Sequence, residues 1–182
     1  MRFTLTVILL WCSLTALTSC FAQDEILTHE QQAAATWVLD ESSVPLTEDQ
    51  ASAIVAAVYR AAEQYSLDPH HILAMMRVES RFNPKARSSE NARGLMQVIP
   101  RWHRKELAKR SPYDPMVSIE VGTAIYNECL QKYSGNTRKA ANCYSGGGGN
   151  KYYRLIEQAK KKLMHHVIVQ LFEPLSELVA SH

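Results

Sequence analysis

The chain has no marked charge of either sign: 20 Lys and Arg stand against 18 Asp and Glu, a formal net charge of +2 over 182 residues. Nucleic-acid binding draws on a clustered basic face, and this balance supplies no basis for one. Nor is there a run of about 20 apolar residues, the length that spans a bilayer as a helix. The N-terminal apolar stretch from Phe3 to Leu17 is shorter and is interrupted by Thr4, Thr6, Cys12, Ser13 and Thr15. His and Cys are not spaced as zinc ligands, so no metal is assigned. No segment alternates apolar and polar residues as a half-buried strand does, and no internal repeat is present, which leaves an all-α reading. The glycine run Gly146 to Gly149 has neither the preceding strand nor the following Lys-Ser or Lys-Thr pair of a phosphate-binding loop, and reads as a flexible turn. His70-His71, His165-His166 and Lys160 to Lys162 receive no role, because neighbouring residues point to different helix faces and a lysine run is usually solvated.

What is present suits one globular domain with attachments. Residues 1–22 read as an export signal: Arg2, an apolar stretch, then small residues. Leu17-Thr18-Ser19-Cys20 has the form of a lipobox, in which Cys20 is lipidated and becomes the N-terminus. The competing reading is cleavage after Ala22. The lipobox is preferred because a cysteine where the apolar stretch ends has no other evident use. Either route places the mature protein in the cell envelope, in the periplasm. There Cys129 and Cys143 form an even pair in an oxidising compartment, and a disulfide is expected.

Residues 23–46 are polar and mixed, and read as a tether with at most one short helix around Trp37, Val38 and Leu39. Thr47 then opens a capping box with Gln50, followed by Ala51, Ile54, Val55, Val58, Ala62 and Tyr65 at helical spacing. Asp68 is an N-cap with Pro69 at the first helical position, and Pro84 ends that helix, so Glu79 falls in or beside its last turn. Helical segments follow at 118–133, 137–143 and 152–178, the last with an interruption expected near Pro174. A catalytic domain over 47–160 and a C-terminal helical extension over 161–182 result. The apolar tail from Val167 to Val179 reads as a helix packed on the domain rather than a membrane element.

Glu79 is the residue with chemistry in its surroundings. Met75, Met76, Val78 and Phe82 would desolvate it, and the negative end of the helix dipole also disfavours its charged form. Both effects raise its pKa and keep an acid protonated near neutral pH, as protonating a leaving-group oxygen requires. A glutamate in a last helical turn is more often a solvated surface residue, so the wider pattern has to decide.

That pattern is Glu79-Ser80-x-Phe82-x-Pro84-x-Ala86, then Gly94-Leu95-Met96-Gln97-x-x-Pro100, then Asp114-Pro115, Ile119, Gly122 and Tyr126, then Cys143-Tyr144-Ser145-Gly146 and Tyr153. Over roughly residues 50–157 it resembles the family 1 lytic transglycosylases. The resemblance implies an all-α, goose-type lysozyme-like fold acting on peptidoglycan glycan strands without a cofactor. It implies Glu79 as the only catalytic carboxylate, cutting between N-acetylmuramic acid and N-acetylglucosamine and leaving a 1,6-anhydro ring. It also implies substrate contacts from Ser80, Gly94, Met96, Gln97, Tyr144 and Ser145. Met96 would be an apolar wall, Gln97 an amide for an N-acetyl group or hydroxyl, and Tyr144 a phenol orienting Glu79. Gly94 suits a turn needing positive φ or close backbone approach. Tyr152 and Tyr153 offer aromatic faces to sugars or pack in the core. The sequence departs from the family at Cys143, Ser145, Gly146 and Gly148, where alanine, asparagine, alanine and proline are commoner. Two other readings are a hydrolytic muramidase, which needs a second carboxylate about 5 to 9.5 Å away, and a non-catalytic glycan-binding or assembly module.

Overall fold

A computed structural model describes residues 27–180, with side chains through Phe172. The export signal, Cys20 and Ala22 lie outside the described residues. Seven helices make up the regular structure of the described residues: α1 (His29–Glu41), α2 (Glu48–Gln64), α3 (Pro69–Glu79), α4 (Arg104–Leu107), α5 (Pro115–Lys132), α6 (Thr137–Tyr144) and α7 (Gly149–Ala180). The only extended pairings among the described residues are isolated bridges, Arg87 with Arg93 and Arg93 with Val98. The domain is all-α, as its residue spacing requires.

Local chemistry sets the helix starts. Thr47 accepts from the Gln50 N–H while the Gln50 side chain accepts from the Thr47 N–H, closing the expected box. Asp68 accepts from the His70 N–H, and Asp114 from the N–H groups of Met116 and Val117; each stands before a proline at the first helical position. The α3 segment Ile72 to Met76 is completely buried, so α3 is the central helix, packed against α2 on one side and α7 on the other. Burying a Leu, Ile or Met side chain stabilises by about 1.5 to 3 kcal/mol, so this segment anchors the Glu79 end of α3.

Two expected boundaries change. Residues 29–41 are not tether: they form α1, capped by a Thr28–Gln31 box and buried through Ala33, Ala34, Ala35, Trp37 and Val38. Three alanines carry little hydrophobic signal in a polar segment, yet they let α1 lie close on α2 and α7. Likewise no extension begins at 161, because α7 is continuous and buries Leu163 and Val167 with the core. It also runs past Pro174, where an interruption was expected; a proline inside a helix removes one hydrogen bond without necessarily ending it.

Cys129 of α5 and Cys143 of α6 are joined, with Cα atoms 5.9 Å apart and a sequence separation of 14. Closing a loop of about 15 residues contributes roughly 3 kcal/mol in the chain-entropy account. The bond fixes α6, and so Tyr144, against α5.

Candidate active site

Glu79 is the last residue of α3, and the chain reverses immediately after it. Ser80 caps the helix, its hydroxyl donating to the Met76 carbonyl at 3.3 Å. Arg81 and Phe82 then take left-handed φ values of 49° and 59°. Such conformations cost a non-glycine residue roughly 1 to 2 kcal/mol each, and the surroundings hold them. Phe82 is fully buried with its ring edge-on to Trp37, centroids 5.5 Å apart. The Ser43 N–H donates to the Arg81 carbonyl at 2.9 Å. Arg77, in the last turn of α3, pairs with Glu41 of α1. Trp37, Glu41 and Ser43 therefore clamp the Glu79 end of α3.

The Glu79 carboxyl is partly buried, and burial pushes its pKa up to about 7; a hydrogen bond from Tyr152 opposes that shift without cancelling it. The Tyr152 hydroxyl donates to Glu79 Oε1. Tyr144, expected to play that part, instead donates to the Met96 carbonyl at 2.7 Å. It still lies close enough for the charge of Glu79 to raise its own pKa, after the larger effect of its burial. The exchange follows from the glycine turn: positive φ at Gly146, Gly147 and Gly149 folds the chain back so that α7 brings Tyr152 onto the end of α3. A signal was available, because Tyr152 stands four residues before the buried Ile156 and in phase with buried Ala159 and Leu163, whereas Tyr153 is out of phase.

The loop carrying Gly94 to Gln97 is held tightly. Gly94 has the expected positive φ, 75°, and the close approach is to the chain itself: a Cβ there would lie 1.8 Å from the Pro112 carbonyl oxygen. The Met96 N–H donates to the Ser118 hydroxyl at 3.0 Å. The Met96 side chain is fully buried against Gly122, where an added Cβ would come within 2.4 Å of the Met96 Cβ. Met96, expected as an apolar wall, is thus a core residue. Gln97 spends its amide nitrogen on the carbonyls of Gly94, 3.0 Å, and Ala86, 3.3 Å, which leaves only its Oε1 as an acceptor toward a sugar. Ser145 donates to the Asn142 carbonyl and accepts from the Gly148 N–H, so its hydroxyl builds the glycine turn rather than replacing a substrate amide.

The arrangement is a carboxylic acid held near neutrality, with one phenol hydroxyl on it and a rigid loop beside it. No second carboxylate contributes to the Glu79 shift among the described residues. Tyr152→Phe should raise the Glu79 pKa further, since the lost donor favours the ionised form. Hydrogen bonds to charged groups contribute about 1.5 to 3 kcal/mol, so the maximal rate of any step using the carboxylate should fall at least about tenfold. A pH–rate profile whose basic limb does not move upward would separate Tyr152 from Glu79.

Residues 56–167 match the family model described as Transglycosylase SLT domain, which leaves α1 and the first half of α2 outside the matched span. Over 86 residues the chain is 38% identical to a protein named Transglycosylase from Enterobacteria phage PRD1, covering 47% of this chain and 32% of that protein. It is 35% identical over 99 residues to Membrane-bound lytic murein transglycosylase C of Actinobacillus pleuropneumoniae, covering 48% of this chain and 27% of the relative. The protein of that name from Haemophilus influenzae is 32% identical over 115 residues, with 53% and 32% covered. The chain thus spans no more than 32% of the length of these curated relatives.

Proposed function

We propose, for a chain that belongs to the Transglycosylase SLT domain family, that it is a peptidoglycan lytic transglycosylase cutting between N-acetylmuramic acid and N-acetylglucosamine. The observation that carries this reading is Glu79, a partly buried carboxyl whose pKa lies at about 7 at the end of a rigid helix. At neutral pH both of its protonation states are accessible, which suits one group acting first as acid and then as base.

In the first step the Glu79 carboxyl gives its proton to the glycosidic oxygen as the C1–O4 bond breaks. The resulting carboxylate is stabilised by the Tyr152 hydroxyl. It then takes the proton of the muramic acid 6-hydroxyl while O6 attacks C1, closing the 1,6-anhydro ring. Glu79 ends protonated as it began, and no water is consumed. A hydrolase of the two-carboxylate kind would need a second acid about 5 to 9.5 Å away. Mass spectrometry of the muropeptides released by the purified protein tests the reading. Anhydro ends support it, reducing ends would replace it with hydrolysis, and no release would replace it with a binding or assembly role.

The relatives' names, membrane-bound and murein transglycosylase, support an envelope location. No helix among the described residues is long and apolar enough to cross a membrane. The proposed anchor is a lipidated Cys20, supported by the Leu17-Thr18-Ser19-Cys20 lipobox at the end of the apolar stretch; two acyl chains hold stably where one alone is marginal. Fractionation is expected to find the protein with the membranes and Cys20→Ser released from them. A soluble wild-type form beginning at Gln23 would establish cleavage after Ala22 instead.

A further inference from the structure

The outer face of α7 carries an apolar stripe that no other helix among the described residues covers. Leu163 and Val167 face the core, whereas Met164, Ile168 and Phe172 recur every four residues and are 44%, 52% and 61% exposed. Arg154, Lys161 and His165, all exposed, fall within the same arc of the helix, which also carries the exposed Glu157, whereas Lys162 faces the cleft against α1. The face is therefore apolar with a basic margin.

The chain also arrives at this end of the molecule. The Thr36 hydroxyl of α1 meets His166 Nε2 at 2.9 Å. Trp37 and Glu41, further along α1, share a cleft with Leu155, Gln158, Ala159 and Lys162, which come earlier on α7. The two helices thus run antiparallel, and Thr28 lies about 12 Å back from Thr36 along α1, on the Phe172 side of His166. The sequence ahead of Thr28 holds the apolar stretch Phe3 to Leu17, and even a fully extended chain from Cys20 to Thr28 reaches no more than about 29 Å.

We propose that this face of α7 rests on an anionic lipid bilayer, a membrane contact separate from the N-terminus. Met164, Ile168 and Phe172 enter the boundary between headgroups and acyl chains, and Lys161 and Arg154 meet the lipid phosphates. A helix lying in the interface needs no spanning length. The basic margin, complementary to the phosphates of an anionic bilayer, selects lipid over a protein partner. The proposal does not depend on the catalytic reading or on lipidation of Cys20.

Sedimentation with vesicles tests it, using the chain from Gln23 to His182, which contains every residue of the packed domain. Binding to vesicles containing phosphatidylglycerol is expected to be at least about tenfold tighter than to phosphatidylcholine alone, and to weaken with salt. Ile168→Glu and Phe172→Glu should each lower it at least about tenfold. Lys161→Glu, which alters only a solvated charge, should weaken binding to the anionic vesicles alone. Absence of wild-type binding, or equal binding by the variants, would overturn the proposal. So would a concentration-dependent dimer abolished by Ile168→Glu, which would assign the face to a second copy of the chain. Cleavage of soluble glycan strands should be unchanged in all three variants, so this test fails or succeeds apart from the active-site reading.

Discussion

Glu79→Gln should lower glycan cleavage at least about a thousandfold while making the protein more stable above neutral pH. The rate effect follows because one group supplies both proton transfers, and general acid–base catalysis contributes about a hundred- to ten-thousandfold. The amide keeps the shape of the carboxyl, and its oxygen still accepts from Tyr152. The stability effect follows from linkage. Burial raises the Glu79 pKa from an ordinary 4.5 to about 7. Below 4.5 the group is neutral in both folded and unfolded chains and costs nothing. As pH rises through that window the unfolded chain ionises first, so wild-type stability falls until the folded pKa is passed. The loss is at most about 3 kcal/mol at 1.36 kcal/mol per unit, and the glutamine variant escapes it. Urea unfolding of both proteins at pH 5 and pH 8 checks the sign. If both lose the same stability between those values, Glu79 is not held at high pKa by burial, and the acid role loses its physical basis.

Gly94→Ala is expected to be the most damaging single-atom change in the site's framework. An alanine Cβ would stand 1.8 Å from the Pro112 carbonyl oxygen and 2.9 Å from the Ser118 hydroxyl, on a backbone with φ of 75°. The nearest obstacle is backbone, so no side chain can swing away. Over-packing of this kind typically costs about 1 to 3 kcal/mol, and the left-handed φ adds roughly 1 to 2. Together they take a large share of a typical domain's stability of about 5 to 15 kcal/mol. The displaced loop would also carry Met96 off Ser118 and Tyr144, which hold its backbone from two sides. Thermal unfolding should show a drop of many degrees, with cleavage lost even where the variant remains folded. A melting temperature near that of the wild type would mean that the Gly94 loop yields without cost.

Much of this was legible along the chain, and for a local reason. The Thr47 and Asp68 caps, the helical spacing of α2 and α3, and the placing of Glu79 before Pro84 all depend on residues within a few positions of one another. The positive φ of Gly94 was legible for the same reason. The cysteine pair was legible because compartment and parity limited the choices. What failed depended on distant partners. α1 is longer and more deeply packed than the one short helix expected around Trp37, because alanines signal burial weakly until α2 and α7 are seen lying against them. Met96 was expected to form an apolar wall, yet it packs in the core against Gly122, and the Gln97 amide nitrogen is engaged by the carbonyls of Gly94 and Ala86.

The sequence by itself determined the all-α class, the helix that ends at Glu79 and the resemblance from which the chemistry is read. Only the tertiary structure decided which phenol reaches that carboxyl, since Tyr152 and Glu79 are 73 residues apart and Tyr144 bonds a carbonyl 48 residues away. The physical reason is that caps and periodicity are set by backbone geometry within one helical turn. A hydrogen bond between helices depends on how α3, α6 and α7 settle against a shared core, and no local spacing encodes that.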